Sequence, residues 1–265
     1  MKIETAKTDS LEMDYFRFGR GKKPLVIIPG LAIQSVMASA NDIATAYQVL
    51  ADDFTIYVLD RRKDLPPAYP VRDMARDVRE VLRSLRLEQV CVFGASLGGM
   101  VALTLAIENP RLVLKLAVGS SAARVTDERF QSIEEWVRLA ESGDALGLYL
   151  AFAQMVYPQS VVAQSSELLA EAAKTVTDKD LGQFAIRARG LQGFDVLDSL
   201  EAITCPLLVI GSTDDGVIGG DASLQIAERL KGRSDFELHM YEGFGHAAYD
   251  LAPDYKERLL RFFIA

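Results

Sequence analysis

The sequence predicts an α/β protein, with a mostly parallel sheet, helices on both faces and a helical segment inserted past its middle. Three observations carry this expectation. Short, wholly apolar runs such as "PLVIIPG" (24–30) and "FTIYVLD" (54–60) recur, as in strands buried on both faces. Stretches with helical spacing separate them, the alternation that builds a parallel sheet. From 124 to 200 no convincing strand appears and only helix-like pieces remain.

Residues 2–19 alternate loosely and read as two short strands, and 24–30 is a third. Helical spacing follows over 35–50, then strand 54–60. In "VRDMARDVREVLRSLR" (71–86), Val71, Met74, Val78, Val81, Leu82 and Leu85 recur at three- and four-residue steps with charges between them, an amphipathic helix. Strand 90–93 leads through a glycine-flanked turn into a helix that ends near Asn109, where Asn-Pro stops it. Later strands are 112–121, 205–212 and 235–243, with helices over 221–231 and 253–263. The intervening segment holds "SIEEWVRLAESGD", "ALGLYLAFAQMVYP", "SSELLAEAAKTV" and "KDLGQFAIRARGL", four helix-like pieces. Residues 1–123 and 201–265 are thus expected to form the core, and 124–200 a helical cap over the carboxyl edge of the sheet.

With 265 residues, 49% hydrophobic and 25% charged, the chain suffices for one sizeable core plus an insertion. A net charge of −8 with dispersed Lys and Arg argues against nucleic acid and anionic membrane surfaces as partners. "MKIETAKTDSLEMDYF" lacks the apolar centre of a secretory signal, and no apolar run approaches the ~18 residues of a membrane span. Cys91 and Cys205 lie in strand-like runs and are expected to be buried thiols rather than a disulfide. The expectation is a cytoplasmic protein acting on a small molecule without metal or cofactor, its oligomeric state open and a homodimer one option.

The stretch "VCVFGASLGGMVAL" (90–103) sets Ser96 between Gly94 and Gly98 where a strand becomes a helix. A Gly-x-Ser-x-Gly alone is weak, but the strand before it and the helix after it are the context that gives it meaning. Ligands bind such sheets beyond the carboxyl ends of the strands, where Ser96 would stand. A hydroxyl needs a base to become a nucleophile. Of the two histidines, His239 lies inside the strand "FELHMY" and reads as structural. His246 lies in "YEGFGHAAYD", a loop at the same edge, and is the candidate base. The turn after "CPLLVIGS" offers Asp214 and Asp215 to orient the imidazole, with Asp214 favoured.

These segments resemble the α/β-hydrolase superfamily over nearly the whole chain. "GASLGGMVA" resembles its nucleophile elbow, "CPLLVIGSTDD" the strand and turn of its acid, and "GFGHAAYDLAPDY" its histidine segment, in the order Ser–Asp–His. The resemblance implies an eight-stranded sheet with a cap after the sixth strand. It also places the acid three residues after Gly211, at Asp214, and an oxyanion hole at the N–H groups of Leu31 and Leu97. The chain departs from the family at Pro29-Gly30, where His-Gly is common, and in "LDRRKDLPP" (59–67), where a Gly-rich loop is common. Arg61, Arg62 and Lys63 leave the sheet at its active edge, and Arg61 or Arg62 is a candidate to meet an acidic substrate group. A serine at 96, where some relatives carry aspartate, points to acyl chemistry. In the cap, Leu148, Phe152 and Met155 on a helix apolar nearly all round, with Trp136, are candidate walls of an acyl pocket.

The expected activity is hydrolysis of carboxylic esters of small or medium apolar acyl groups through an acyl-enzyme. The same residues would serve a lactone, a thioester, a C–C bond or acyl transfer. A third reading is a ligand-binding signalling member that keeps the triad.

Overall fold

In a computed structural model that describes residues 1–265, eight strands form one sheet. They are β1 (Ile3–Lys7), β2 (Glu12–Phe18), β3 (Lys23–Ile28), β4 (Phe54–Arg62), β5 (Val90–Ala95), β6 (Val113–Gly119), β7 (Leu207–Ser212) and β8 (Phe236–Tyr241). Their spatial order is β1-β2-β4-β3-β5-β6-β7-β8. The β1–β2 and β2–β4 pairs are antiparallel and every later pair is parallel. All six residues of β5 and of β7 are buried, which is why these strands read as unbroken apolar runs.

Ten α-helices accompany the sheet: α1 (Ala40–Ala46), α2 (Val71–Ser84), α3 (Leu97–Glu108), α4 (Asp127–Glu141), α5 (Ala145–Val156), α6 (Gln159–Ala173), α7 (Asp178–Arg189), α8 (Ala222–Arg229), α9 (Ala248–Leu251) and α10 (Tyr255–Ile264). Helix α2 buries Val71, Met74, Val78, Val81 and Leu82 against one face of the sheet, as their spacing predicts. That face also holds α3, α8 and the cap helices. The opposite face is a smaller cluster in which Phe54, Phe93, Tyr255 and Phe263 pack beneath α1 and α10.

The cap helices α4 to α7 lie between β6 and β7. Their starts are set by side-chain caps. Thr126 accepts from the Arg129 N–H, Asp144 from Gly147, and Thr177 and Asp180 cap each other reciprocally. Helix α4 therefore begins at Asp127, ahead of the apolar spacing that marks it in the sequence. The segment contains no strand, only an isolated bridge between Arg124 and Asp195. Their side chains pair there at 2.6 Å, so the two crossings between core and cap are tied together.

One element is shorter than expected. Helical spacing over 35–50 resolves into α1 flanked by two 3-10 turns, Val36–Ser39 and Gln48–Leu50. Ser35 caps the first turn by accepting from the Met37 N–H. Cys91 and Cys205 are unpaired and buried. No helix is long and apolar enough to cross a membrane.

Candidate active site

The chain leaves β5 and enters α3 through Ser96, whose backbone angles are φ 53° and ψ −121°. A non-glycine residue rarely adopts a positive φ, and holding one there costs about 1–3 kcal/mol. The neighbouring glycines make the turn possible. A Cβ on Gly98 would lie 1.9 Å from the Ile28 carbonyl oxygen, and one on Gly94 would lie 2.3 Å from that of Gly98. The Ser96 N–H donates to Gly119 O at 2.8 Å, and the Ser121 hydroxyl donates to Ser96 O at 2.8 Å. The turn is thus braced from the end of β6.

The loop after β3 lies directly on this serine. A Cβ on Gly30 would come 3.2 Å from Ser96 Cβ. The Leu31 N–H donates to no group in the protein, and the Leu97 N–H, first in α3, has no acceptor within its own helix.

His246 sits in a 3-10 turn, Gly245–Ala247, just before α9. Its ring is buried and bridges two partners, with Nε2 2.8 Å from Ser96 Oγ and Nδ1 2.8 Å from Asp215 Oδ2. The acid that meets the imidazole is therefore Asp215, and the expectation of Asp214 is corrected. Asp215 is buried; its Oδ1 accepts from the Val217 and Ile218 N–H groups at 2.9 and 3.0 Å, leaving Oδ2 for the histidine.

Asp214 faces the other way. Its Oδ1 accepts from the Ser212 hydroxyl at 2.7 Å and the Gly243 N–H at 3.0 Å, and its Oδ2 from the Gly245 N–H at 3.0 Å. Partial burial alone would raise its pKa, but the bonds from Ser212, Gly245 and Gly243 outweigh that and hold the carboxyl below its usual range. Asp214 is thus a brace for the histidine loop. Counting from Gly211 fails because the chain continues in a tight turn past Ser212, and neighbouring side chains then point apart.

His239 is on β8, away from this site, with its ring edge-on to Tyr241 at 4.5 Å.

Beside Ser96 opens a cavity of about 480 Å³. Ile27, Val58, Phe93 and Tyr47 form its floor, Gly30 to Ser39 one wall, and Tyr149, Phe152, Val156 and Tyr157 the cap side. Only Phe152 of the four expected cap residues lines it. Helix α5 turns its 149/152/156 stripe to the cavity. Leu148 is fully buried outside the lining, and so is Trp136, which packs on Phe152 at 4.7 Å. Met155 is half-buried and packs against the core, its carbonyl oxygen 3.0 Å from where a Cβ on Gly216 would stand. The sequence also missed two polar contacts at the cavity. The Tyr149 hydroxyl donates to Gln34 at 2.9 Å, joining cap to core, and that of Tyr157 donates to Asp250 at 3.3 Å. A helix apolar all round hides which stripe faces inward, so these tyrosines carried no usable signal.

The arginines part company at a bulge in β4. Between the pairs Met13–Arg62 and Tyr15–Leu59, β4 has one residue more than β2. Arg62 reaches α2, where it pairs with the buried Asp77 at 3.4 Å, and it also donates to Ser10 O at 3.0 Å and Asp64 O at 2.8 Å, so it is corrected to a structural residue. Lys63 pairs with Asp14 at 2.8 Å. Arg61 turns inward, is buried, and donates through Nη2 to Pro29 O at 2.6 Å. No cluster of His, Cys, Asp or Glu has a geometry that could hold a metal.

A buried Ser–His–Asp line at the carboxyl edge can move a proton from a hydroxyl to an imidazole and stabilise the resulting charge. Comparison with known proteins identifies the family and the fold. One relative by sequence is a protein of Rhizobium rhizogenes named "Putative carbamate hydrolase RutD", 26% identical over 91% of this chain and 92% of the relative. Among solved structures, MGS-M2, an alpha/beta hydrolase enzyme from a deep-sea metagenome library, superposes with a TM-score of 0.87 at 19% identity, covering 99% of this chain and 98% of that one. The enol-lactonase of Burkholderia xenovorans superposes with a TM-score of 0.83 at 17% identity, covering 99% of this chain and 100% of that one. The family model Hydrolase_4, described as serine aminopeptidase, S33, matches residues 68–250, well over half of the sequence. The chain belongs to that family and so to the α/β-hydrolases.

Proposed function

We propose that the protein is a serine hydrolase that cleaves carboxylic esters through an acyl-enzyme. The observation that carries this is the unbroken hydrogen-bonded line from Asp215 through His246 to Ser96, both contacts at 2.8 Å. Ser96 Oγ attacks the acyl carbonyl as His246 Nε2 takes its proton. Asp215 fixes the tautomer, with the proton on Nδ1, and stabilises the imidazolium. The N–H groups of Leu31 and Leu97 receive the oxyanion. His246 then returns the proton to the leaving alcohol, and water, activated the same way, frees the acid. The aromatic and aliphatic lining of the cavity fits an apolar part of the substrate of small or medium size.

A second reading keeps the acyl-enzyme but changes the carbonyl compound. Relatives carry the name of a carbamate hydrolase, so a carbamate carbonyl is the alternative to an ester. Hydrolysis of p-nitrophenyl esters from acetate to decanoate, beside p-nitrophenyl carbamates and with Ser96→Ala as control, separates the two. Turnover of the esters with a chain-length optimum, lost in Ser96→Ala, supports the ester reading. Turnover of carbamates alone would replace it, and ester turnover retained by Ser96→Ala would refute the role given to the serine.

A further inference from the structure

Arg61 and Arg187 are buried, with 8% and 6% of their surfaces exposed, and neither has a carboxylate within salt-bridge distance. Arg61 comes from the bulged end of β4 and Arg187 from α7 of the cap. Arg187 follows the buried stripe Leu181, Phe184, so its guanidinium is carried into the core–cap boundary rather than outward. Its Nε donates to Gln183 O at 3.0 Å, one turn back on its own helix. Its two Nη groups donate to nothing, yet they are not sealed from solvent. On Arg61, Nη2 donates to Pro29 O and Nη1 reaches Asp60 O at 3.4 Å, while Nε is sealed in with no partner. Asp60, the acid next in the chain, is engaged by the Ser35 hydroxyl instead.

Two buried guanidinium groups without counter-ions are costly to a fold, because each charge has lost its water and gained no partner. Burial and the neighbouring Arg61 charge pull the Arg187 pKa down to about 10, still well above neutrality, so it stays charged. The two Nη groups of Arg187 are left free for a two-oxygen anion, and Arg61, its own Nη groups on carbonyls, adds a second positive charge nearby. Their place decides which one. Arg61 holds the carbonyl of Pro29, next to Gly30, the residue that lies on Ser96. It does so on the sheet face of Tyr69 and α7, whereas the apolar cavity is floored by Ile27, Val58 and Phe93 of the opposite face.

We infer that Arg187, with the charge of Arg61 beside it, forms a carboxylate subsite at the core–cap boundary, so that the substrate carries an apolar group and an acid group on opposite sides of the reacting carbonyl. This rests on the reading of Ser96 as the acyl acceptor. Arg61 also fixes the loop that presents the Leu31 N–H, so Arg187 is the cleaner residue to change.

Two measurements test it. The first compares p-nitrophenyl hydrogen glutarate with the uncharged, isosteric p-nitrophenyl ester of 5-methylhexanoic acid. In the wild type the half-ester is preferred in kcat/KM. In Arg187→Gln the charged-to-neutral ratio falls by about tenfold or more, mostly through KM, and Arg187→Lys restores part of it. The second is calorimetric titration of glutarate into the Ser96→Ala protein, which needs no turnover and no arginine variant. Saturable binding, weakened by Arg187→Gln, supports the subsite. A wild-type preference for the neutral ester, with a ratio unmoved by Arg187→Gln and no glutarate binding to Ser96→Ala, overturns it. If no ester is turned over at all, the ester reading fails, and the titration alone still decides the subsite.

Discussion

Helix α3, which follows directly on Ser96, buries its side chains all round from Leu97 to Ala106, whereas the outer cap helix α6 buries none. The first is wedged between sheet and α2, with glycine at each point where backbones touch. The second rests mainly on α5 and leaves Leu168 72% exposed. The contrast separates two tasks. The turns that hold Ser96, His246 and Asp215 in line belong to a packed framework in which small displacements are resisted. The cap contributes the walls that decide what reaches them, on helices held by fewer contacts and open to change.

The largest effects should fall on the framework. Asp215→Asn should lower kcat by about 10⁴-fold by leaving the imidazole in the wrong tautomer, while Asp214→Asn should cost tenfold or less; parallel kinetics with one ester decide between the neighbours. Gly98→Ala should destabilise by about 3 kcal/mol or prevent folding, since its Cβ would stand 1.9 Å from the Ile28 carbonyl, and thermal melting would show this.

Asp214 sharpens the contrast through pH. Its folded pKa lies below the ordinary carboxylate value, so the unfolded chain binds its proton more readily. Its contribution to stability is complete above the unfolded value of 3.8 and is lost as pH falls through the folded one. Asp214→Asn should therefore lower the melting temperature at pH 7, and the gap should close below pH ~4. A gap that widened in acid would contradict the hydrogen bonding described for this residue.

Smaller effects should fall on the cap. Phe152→Ala should change KM for longer acyl or alcohol groups by about tenfold while leaving kcat within a few-fold. Leu168→Ser on α6 should shift stability by no more than about 0.5 kcal/mol and leave kinetics unaltered. Loss of activity in the α6 variant would break the division between framework and cap.

The sequence made the framework readable for the same physical reason that makes it rigid. Strands buried on both faces must be continuous apolar runs, and an elbow this tight must be flanked by glycine, so β5, Ser96 and α3 announce themselves. His246 followed from the edge it shares with Ser96. Asp214 and Asp215 were not separable, because both are acids in one turn and only backbone direction tells which faces the histidine. The same limit hid the fate of Arg61 and Arg62, of which only Arg62 finds a carboxylate, Asp77, while Arg61 is buried against carbonyls. On α5 the whole helix is apolar, so no pattern could reveal that Tyr149, Phe152 and Val156 form the inward stripe. Arg187 left only a faint trace, a charge in step with Leu181 and Phe184 on a helix that also carries exposed charges.

The most direct test of the central claim is to look for the acyl-enzyme itself. Wild-type protein would be mixed rapidly with p-nitrophenyl acetate, quenched in acid within milliseconds, digested and analysed by mass spectrometry. One acetyl group is expected on the peptide bearing Ser96, formed with a burst of p-nitrophenol and absent in Ser96→Ala. Steady turnover with no acyl group on Ser96, or the group on another residue, would contradict it.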